Sequence, residues 1–426
     1  MLGSPDEDRG TTTKRHLALL GGTTSYADCL HALWCLLHPG SLVEGPAEER
    51  YERAFAEYIG VAHGISFVSG RVGLFAILHS LGIGEGDEVL IQVPTHVVVA
   101  NAIRYAGARP VYVDCRADSY NLDLEHAERL VTPRTKAIVL QHTYGIPVDF
   151  DAAQAFADRH GLAMIEDCVH SLGATFRGRQ TGSFGRAAFF STEETKIIST
   201  TLGGMVVTDD DDLARRLRDF RRDECHAPRR WLVAQYLVKL VAYHVLTEPL
   251  IHRYARAVYK LLGYQPLPRP VSQAELAGER PAGYLERFSN AQASVGLRQL
   301  RRLDRNIAHR RRIAGIYRQS LTTMAAGSLP HVPAESDPSW CRYPVRVARL
   351  DVVEDAVSQH ALPGSWFLSV LEESVSPEVG QYAQGSCPNA EAVIGHIINL
   401  PTHGRVTVAD ARRLAQAVIE STTRES

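Results

Sequence analysis

Lysine is the one side chain that is a strong cation when protonated and, when neutral, condenses with a carbonyl to a Schiff base. The chain uses it sparingly, with five lysines against 41 arginines. Lys196 lies in the polar stretch Ser191 to Met205, entered from Ala187-Ala188-Phe189-Phe190 and left through Gly203-Gly204-Met205-Val206-Val207. The apolar runs predict two short buried strands with Lys196 between them. An aldehyde such as that of pyridoxal phosphate is the partner this placement suggests, and an ordinary surface lysine is the plain alternative. A second candidate is Asp167, closing Ile165-Glu166-Asp167. A carboxylate facing a pyridine nitrogen keeps it protonated, so that the ring accepts electrons from a substrate carbanion; a helix cap is the simpler role. A third is the turn Ser69-Gly70-Arg71-Val72-Gly73-Leu74, whose small residues leave backbone N–H groups free at a helix N-terminus, where a phosphate can bind.

The elements that must carry these residues alternate. The pattern predicts a helix over Tyr51 to Tyr58 and strands over Gly64 to Val68, Asp87 to Val93, Pro110 to Asp114, Ala137 to Gln141 and Leu162 to Glu166, with helices over Val97 to Ala106 and Ala152 to His160 between them. Such βα alternation makes an α/β fold with a mostly parallel sheet, and ligands of these folds bind beyond the carboxyl ends of the strands. Ser69, His96, Tyr144, Asp167 and Ser191 all fall just past predicted strand ends, so one crevice gathers them.

Ordered motifs add a resemblance. Gly82-Ile83-Gly84-Glu85-Gly86-Asp87-Glu88-Val89, Thr132-Pro133-Arg134-Thr135-Lys136-Ala137-Ile138, Tyr144-Gly145, Ile165-Glu166-Asp167, Gly182-Ser183-Phe184-Gly185, Ser191 five residues before Lys196, and Gly203-Gly204-Met205-Val206 together resemble the DegT/StrS-type sugar aminotransferases. The likeness runs from about Gly45 to Asp223 and resumes from Gly283 to Leu321. It implies the fold type I (aspartate aminotransferase-like) architecture of pyridoxal 5'-phosphate enzymes: a large domain with a mostly parallel sheet and a smaller C-terminal α/β domain. It further implies a homodimer, an amino donor such as glutamate or glutamine, and a keto sugar or cyclitol as acceptor, in polysaccharide or secondary-metabolite biosynthesis. By resemblance Lys196 bonds the cofactor aldehyde, Asp167 faces the pyridine nitrogen, Ser191 with Ser69, Gly70 and Arg71 holds the phosphate, and His170 lies beside the ring. His96 takes the place of the family's stacking aromatic, and Tyr144 and His403 are substrate candidates, a plain turn being the simpler reading of His403. A lysine at 196 argues against the family's dehydratase relatives. His96 and Asp167-Cys168-Val169-His170-Ser171-Leu172-Gly173 also suggest the α-oxoamine synthases as an alternative, and a non-catalytic regulator on the same fold is a third reading.

The chain departs from the family at three places. Arg71 stands where the phosphate turn has Thr, Leu285 in Gly283-Tyr284-Leu285-Glu286-Arg287 stands where a partner-subunit Asn is usual, and Leu202 replaces the Glu before Gly203-Gly204. A planar cation at 71 can grip a phosphate bidentately and compensate for the lost Asn.

At 426 residues, 45% hydrophobic and 22% charged, the chain holds a large α/β domain and a smaller one. The expected organisation is a tail and arm over 1–44, a large cofactor-binding domain over 45–300 with a helical insertion at about 229–282, and a small domain over 301–426. A net charge of -2 gives no basis for nucleic-acid binding, and no zinc-like spacing or other metal motif is present. Seven scattered cysteines and a polar start predict a cytoplasmic protein with reduced thiols. In the insertion, Trp231 to Leu246 is an apolar helix and Ile251 to Leu262 a second helix. A packed cap is the first reading of 231–262, a membrane-surface patch or a dock for a large substrate the alternatives. Gln292 to Leu321 reads as one long helix, with His309-Arg310-Arg311-Arg312 as a solvated face.

Overall fold

A computed structural model describes residues 15–19, 21, 23–261 and 271–423. The expected tail falls outside these residues except for Arg15, and the insertion's return loop (266–281) is described from 271 onward.

Helix α1 (Tyr26–Leu36) opens on a capping box in which Ser25 Oγ accepts from the Asp28 N–H and the Asp28 carboxylate accepts from the Ser25 N–H at 2.8 Å. Helix α2 (Ala47–Ile59) buries Tyr51, Phe55 and Ile59 at helical spacing and stops at Gly60, whose φ of 85° a side chain would resist. The alternating segment follows: β1 (His63–Phe67), α3 (Gly70–Leu81), β2 (Glu88–Gln92), β3 (Thr95–His96), α4 (Val97–Tyr105), β4 (Arg109–Val113), α5 (Leu124–Glu128), β5 (Thr135–Gln141), α6 (Phe150–His160), β6 (Ala163–Asp167), the short β7 (Thr175–Phe176) and β8 (Arg179–Gln180), β9 (Ala187–Ser191), β10 (Gly204–Thr208) and α7 (Asp211–Glu224). Seven strands pair in the order β1-β10-β9-β6-β5-β2-β4. The run from β9 to β4 is parallel, and β10 is antiparallel to both β9 and β1.

Both faces of the sheet are covered, which is why its strands are apolar throughout rather than alternating. In β5, Ala137 and Val139 join the core under α3, α4 and α7, while Ile138 and Leu140 join the core under α6 with Phe150 and Phe156. This double cover leaves the carboxyl ends of the strands as the open crevice.

The insertion supplies α8 (Arg230–Leu246), α9 (His252–Leu261) and α10 (Gln273–Leu276). Val233, Leu237 and Leu240 of α8 pack on Cys29, Ala32 and Cys35 of α1, and the Tyr26 ring meets His244 edge-on at 4.7 Å, so the two helices run antiparallel. Among the described residues no helix is long and apolar enough to cross a membrane.

The expected long helix is two, α11 (Asn290–Leu300) and α12 (Leu303–Ser320). Arg302 leaves the helical region at φ -112° and ψ 7°, and its guanidinium reaches the buried Asp28 carboxylate at 2.5 and 3.1 Å. No glycine or proline marks this break; the half-exposed Arg302 at it is paired with the buried Asp28. The cationic run is likewise not a solvated face. Arg310 is buried, donating to the Cys341 carbonyl and Thr402 Oγ1 at 3.1 Å each, and Arg311 donates to the carbonyls of Gly173, Asp337 and Pro338.

The C-terminal part adds β11 (Ser336–Asp337), β12 (Tyr343–Arg346), α13 (Leu350–Ser358), β13 (Leu371–Glu372), α14 (Pro388–Val393), β14 (Ile397–Leu400) and α15 (Val408–Thr423). β12 and β14 pair antiparallel over a core of Tyr317, Tyr343, Val345, Ile398 and Leu414. β13 pairs in parallel with β3, Glu372 opposite His96, and brings this part of the chain to the rim of the crevice.

Candidate active site

One cavity of about 260 Å³ opens at the carboxyl ends of the strands. Ser69, Gly70, Arg71, His96, Asp167, His170, Ser191 and Lys196 all line it. Tyr144 and His403 do not. The Tyr144 ring is buried behind the wall, packed edge-on against Tyr120, with its hydroxyl donating to the Trp366 carbonyl. His403 is buried too: its Nε2 lies 2.8 Å from the Ala18 carbonyl, and burial pushes the ring down to about 3. It ties the N-terminal arm to the turn after β14, which corrects its reading as a substrate contact.

Lys196 stands in the loop between the antiparallel β9 and β10. Amide side chains clamp that loop by its backbone. Gln299 accepts from the Ser199 N–H and donates to its carbonyl, Gln292 donates to the carbonyls of Thr200 and Leu202, and Asn306 donates to that of Ile197 at 2.9 Å. The Lys196 ammonium sits 4.8 Å from the Trp366 ring centroid, and burial lowers its pKa, partly opposed by Glu193. A lysine so placed is easily made neutral and nucleophilic.

Asp167 ends β6. Its Oδ1 accepts from the Val169 N–H at 3.1 Å, whereas Oδ2 is buried without a hydrogen-bond partner among the described residues. Burial pushes this carboxyl up to about 7. An unshared buried carboxylate oxygen costs free energy until a cation or donor meets it, and a protonated pyridine nitrogen is such a donor. The neighbouring Glu166 has a different task. Its oxygens accept from the N–H groups of Gly182, Phe184 and Gly185 at 2.6 to 2.8 Å and lie 3.2 Å from His142 Nε2, so they hold the 182–185 turn onto β6.

Ser69 caps α3, its Oγ accepting from the Val72 N–H. Strand β10 comes so close to this turn that a Cβ at Gly204 would fall inside contact distance of the Ser69 carbonyl carbon, and one at Gly70 would lie 3.0 Å from the Phe190 carbonyl oxygen. The result is a cradle of backbone at a helix N-terminus, with Ser191 beside it, which fits a phosphate. Arg71 Nε is paired with the buried Glu275 of α10.

His170 is buried with Nδ1 unpartnered among the described residues, and its ring lies 4.8 Å from that of Trp366. His96 caps α4 through Nδ1, which accepts from the Val98 N–H, and places Nε2 3.3 Å from Glu373. Both of its nitrogens are therefore engaged within the protein.

Sequence reasoning missed several members of the wall. Trp366, Phe367 and Glu373 come from the C-terminal part and Val271 from the insertion. Glu194, which also lines the cavity, is bound at 2.7 Å by Lys239 of α8, so the insertion reaches the lysine loop. Burial, with Glu193 adding to it, pushes Glu194 up to about 7. Only Lys239, an isolated cation within an apolar helix, carried a signal in the sequence.

A crevice lysine, a carboxylate with an open oxygen and a helix N-terminus cradle, at the strand ends of a seven-stranded α/β sheet, define a pyridoxal phosphate-dependent enzyme of fold type I. Residues 27–419 match the DegT/DnrJ/EryC1/StrS aminotransferase family. GDP-perosamine synthase of Caulobacter vibrioides is 32% identical over 400 residues, covering 92% of each chain. Spore coat polysaccharide biosynthesis protein SpsC of Bacillus subtilis is 29% identical over 90% of this chain and 91% of its own. Among solved structures, DesV of S. venezuelae aligns with a TM-score of 0.74 at 29% identity, over 93% of this chain and 94% of its own. The chain belongs to the DegT/DnrJ/EryC1/StrS family and is a pyridoxal phosphate-dependent aminotransferase. This membership favours amino transfer over the α-oxoamine synthase alternative.

Proposed function

We propose that the protein moves an amino group from glutamate or glutamine to the carbonyl carbon of a nucleotide-linked keto sugar, in two half-reactions, as a homodimer. The observation that carries the proposal is the shared cavity of Lys196 and the unpartnered Asp167 Oδ2. The names of relatives support the acceptor class: one is a GDP-perosamine synthase, and a DesI structure 25% identical to this chain is described with its TDP-sugar product.

When bound, pyridoxal phosphate supplies an aldehyde that condenses with amines and a ring that takes up the electron pair released at the substrate carbon. Asp167 would hold the proton on the ring nitrogen, and Ser69, Gly70, Arg71 and Ser191 would hold the phosphate. Lys196 Nζ would bond the aldehyde and, once released, would carry a proton from the donor carbon to the cofactor's aldehyde carbon in the first half-reaction and from that carbon to the acceptor carbon in the second. Trp366 lies over Lys196, its ring centroid 4.8 Å from Nζ, and would cover one side of the amine. All seven cysteines are free buried thiols, which supports a reducing compartment, the cytoplasm.

The test uses purified protein with pyridoxal phosphate. L-glutamate or L-glutamine is expected to convert the visible cofactor band to the colourless amine form, and a nucleotide-linked keto sugar to restore it while gaining an amino group by mass. A cofactor band that neither donor alters would overturn the proposal; a cycle completed only by a keto cyclitol would move the acceptor class.

A further inference from the structure

Arg342, the residue before β12, is 2% exposed, and its Nε is buried without a hydrogen-bond partner among the described residues. No carboxylate there pairs with it either. Other inward-turned arginines are answered: Arg310 donates to the Cys341 carbonyl and Thr402, while Arg71, Arg221 and Arg405 each meet a glutamate. Arg342 instead lies over the Trp366 ring, its Cζ 3.4 Å from the centroid, a separation at which the planar group rests flat on the indole. Stacking uses the face of a guanidinium and leaves the N–H donors in its plane open to an acceptor. A buried cation with no counter-charge is costly until an anion meets it.

On the reading of the protein as an aminotransferase for glutamate or glutamine, on which this rests, we infer that Arg342 binds the α-carboxylate common to both donors and selects α-amino acids over other amines. Trp366 lines the cavity, and Lys196 Nζ lies 4.8 Å from the same ring centroid, so Nζ and the Arg342 Cζ are no more than about 8 Å apart. A carboxylate gripped by a guanidinium holds its α-carbon roughly 5 to 6 Å from Cζ, which leaves that carbon in reach of Nζ, the atom that takes its proton. The charge of the cavity wall calls for such a cation. Glu193, Glu194 and Glu373 line it, whereas Lys196 is committed to the aldehyde and Arg71 to Glu275 and the phosphate. Arg342 is felt inside: burial first, and Arg342 among the lesser causes, hold Lys196 and His170 below their usual pKa values. The acceptor's anion is a poorer match for this cation. Its diphosphate is several bonds from the keto carbon, and sugar, diphosphate and nucleoside together exceed a cavity of about 260 Å³, so that end extends to solvent while Arg342 is buried.

Protein loaded with pyridoxal phosphate is mixed in a stopped-flow cell with L-glutamate, with L-glutamine, or with 4-aminobutyrate, which is glutamate without its α-carboxylate, and loss of the visible band is followed against amine concentration. The wild type is expected to react with an α-amino acid at concentrations on the order of 10- to 100-fold below those that 4-aminobutyrate needs, the size of a charge-assisted contact. Arg342→Met should erase that preference, raising the α-amino acid requirement by the same factor and leaving that for 4-aminobutyrate unchanged. Arg342→Lys, which keeps the charge but not the fork, should fall between. Pyridoxal phosphate affinity should stay at the wild-type value in both variants, and the melting temperature of Arg342→Met should not fall, because the cation it removes had no partner. Equal slowing with α-amino acids and 4-aminobutyrate, together with a lower melting temperature, would reduce Arg342 to a support for Trp366. That result, or a donor dependence unchanged in Arg342→Met, overturns the inference and leaves amino transfer from these donors standing. A wild-type band that neither α-amino acid alters overturns the assignment of the donors, and the inference with it.

Discussion

Arg71, in the first turn of α3, is ion-paired through Nε with Glu275 of the insertion, and the two side chains are only 16% and 1% exposed. A cation anchored by a neighbouring carboxylate is held in one place, which is what a phosphate contact requires. Arg71→Ala is expected to weaken pyridoxal phosphate binding on the order of 10- to 100-fold, the size of a lost charge-assisted hydrogen bond. The same change strands a buried carboxylate, so thermal stability also falls. Adding Glu275→Gln separates the effects, restoring stability but not affinity. Equilibrium dialysis and a melting curve on the wild type and the two variants read both. Unchanged affinity in Arg71→Ala would confine Arg71 to holding the insertion in place and end its role as a substitute for the partner Asn.

Lys196 is testable by substitution because its loop is held by Gln292, Gln299 and Asn306 rather than by its own side chain. Lys196→Ala should remove the visible band formed with pyridoxal phosphate and lower amino transfer by about 10²- to 10⁴-fold or more. Unfolding free energy should change by no more than about 1 kcal/mol, the contact with the Trp366 ring being the main loss. Lys196→Arg keeps the charge and should fail equally, since guanidinium does not condense with an aldehyde. A variant that retains the band would show that another amine bonds the cofactor.

Asp167 makes stability depend on pH in a direction fixed by its environment. Its folded pKa of about 7 lies above the unfolded value of about 3.9, so the folded state holds the extra proton between those limits. The stability this supplies is fully present below about pH 4 and is lost as pH rises through 7, a change on the order of a few kcal/mol. Asp167→Asn cannot ionise. In cofactor-free protein the variant's melting temperature, relative to wild type, should therefore climb from pH 5 to pH 8. Glu194 and Glu275, also raised by burial, are present in both proteins and cancel in the comparison. A difference flat in pH would mean that Asp167 is charged and partnered without the cofactor.

How far the site was legible follows from where its residues lie in the chain. Ser69, Asp167 and Lys196 sit at strand ends or between strands, and hydrophobic period alone places a strand end, so their convergence followed from the alternation of elements. Trp366 and Glu373 reach the cavity from a segment whose nearest strand, β13, has two residues and no period to read. Glu275 lies on a four-residue helix in a stretch of mixed Pro, Gly and polar residues, where nothing local says which carboxylate turns inward. His403 left two readings for the converse reason: a turn after a strand can face the crevice or the core, and the Ala18 carbonyl decides for the core and for the simpler reading, a turn. The α11–α12 break was invisible because no breaker residue marks it, and the partner of Arg302 there, Asp28, is distant in the chain. The α/β class therefore rested on period, which is local, fold type I on the resemblance, and the missed residues on packing, which is not local.

Gly204 and Gly315 give opposite outcomes for the same substitution, and the difference tests the cradle. A Cβ at Gly204 meets the Ser69 carbonyl carbon, the Ser69 oxygen and the Gly70 nitrogen, all backbone, so the strand and the turn must separate. Gly204→Ala is expected to destabilise the protein by about 1–3 kcal/mol, the usual cost of overfilling a packed site. It should also weaken pyridoxal phosphate binding, since the displaced groups are those of the turn itself. Gly315, inside α12, has nothing within 4 Å of an added Cβ. Gly315→Ala should stabilise by about 0.5–1 kcal/mol through helix propensity and leave cofactor affinity alone. Denaturant unfolding and cofactor titration of the two variants measure both effects. If Gly204→Ala loses stability yet keeps its affinity, the close approach of β10 serves packing alone and the phosphate does not lie against this turn.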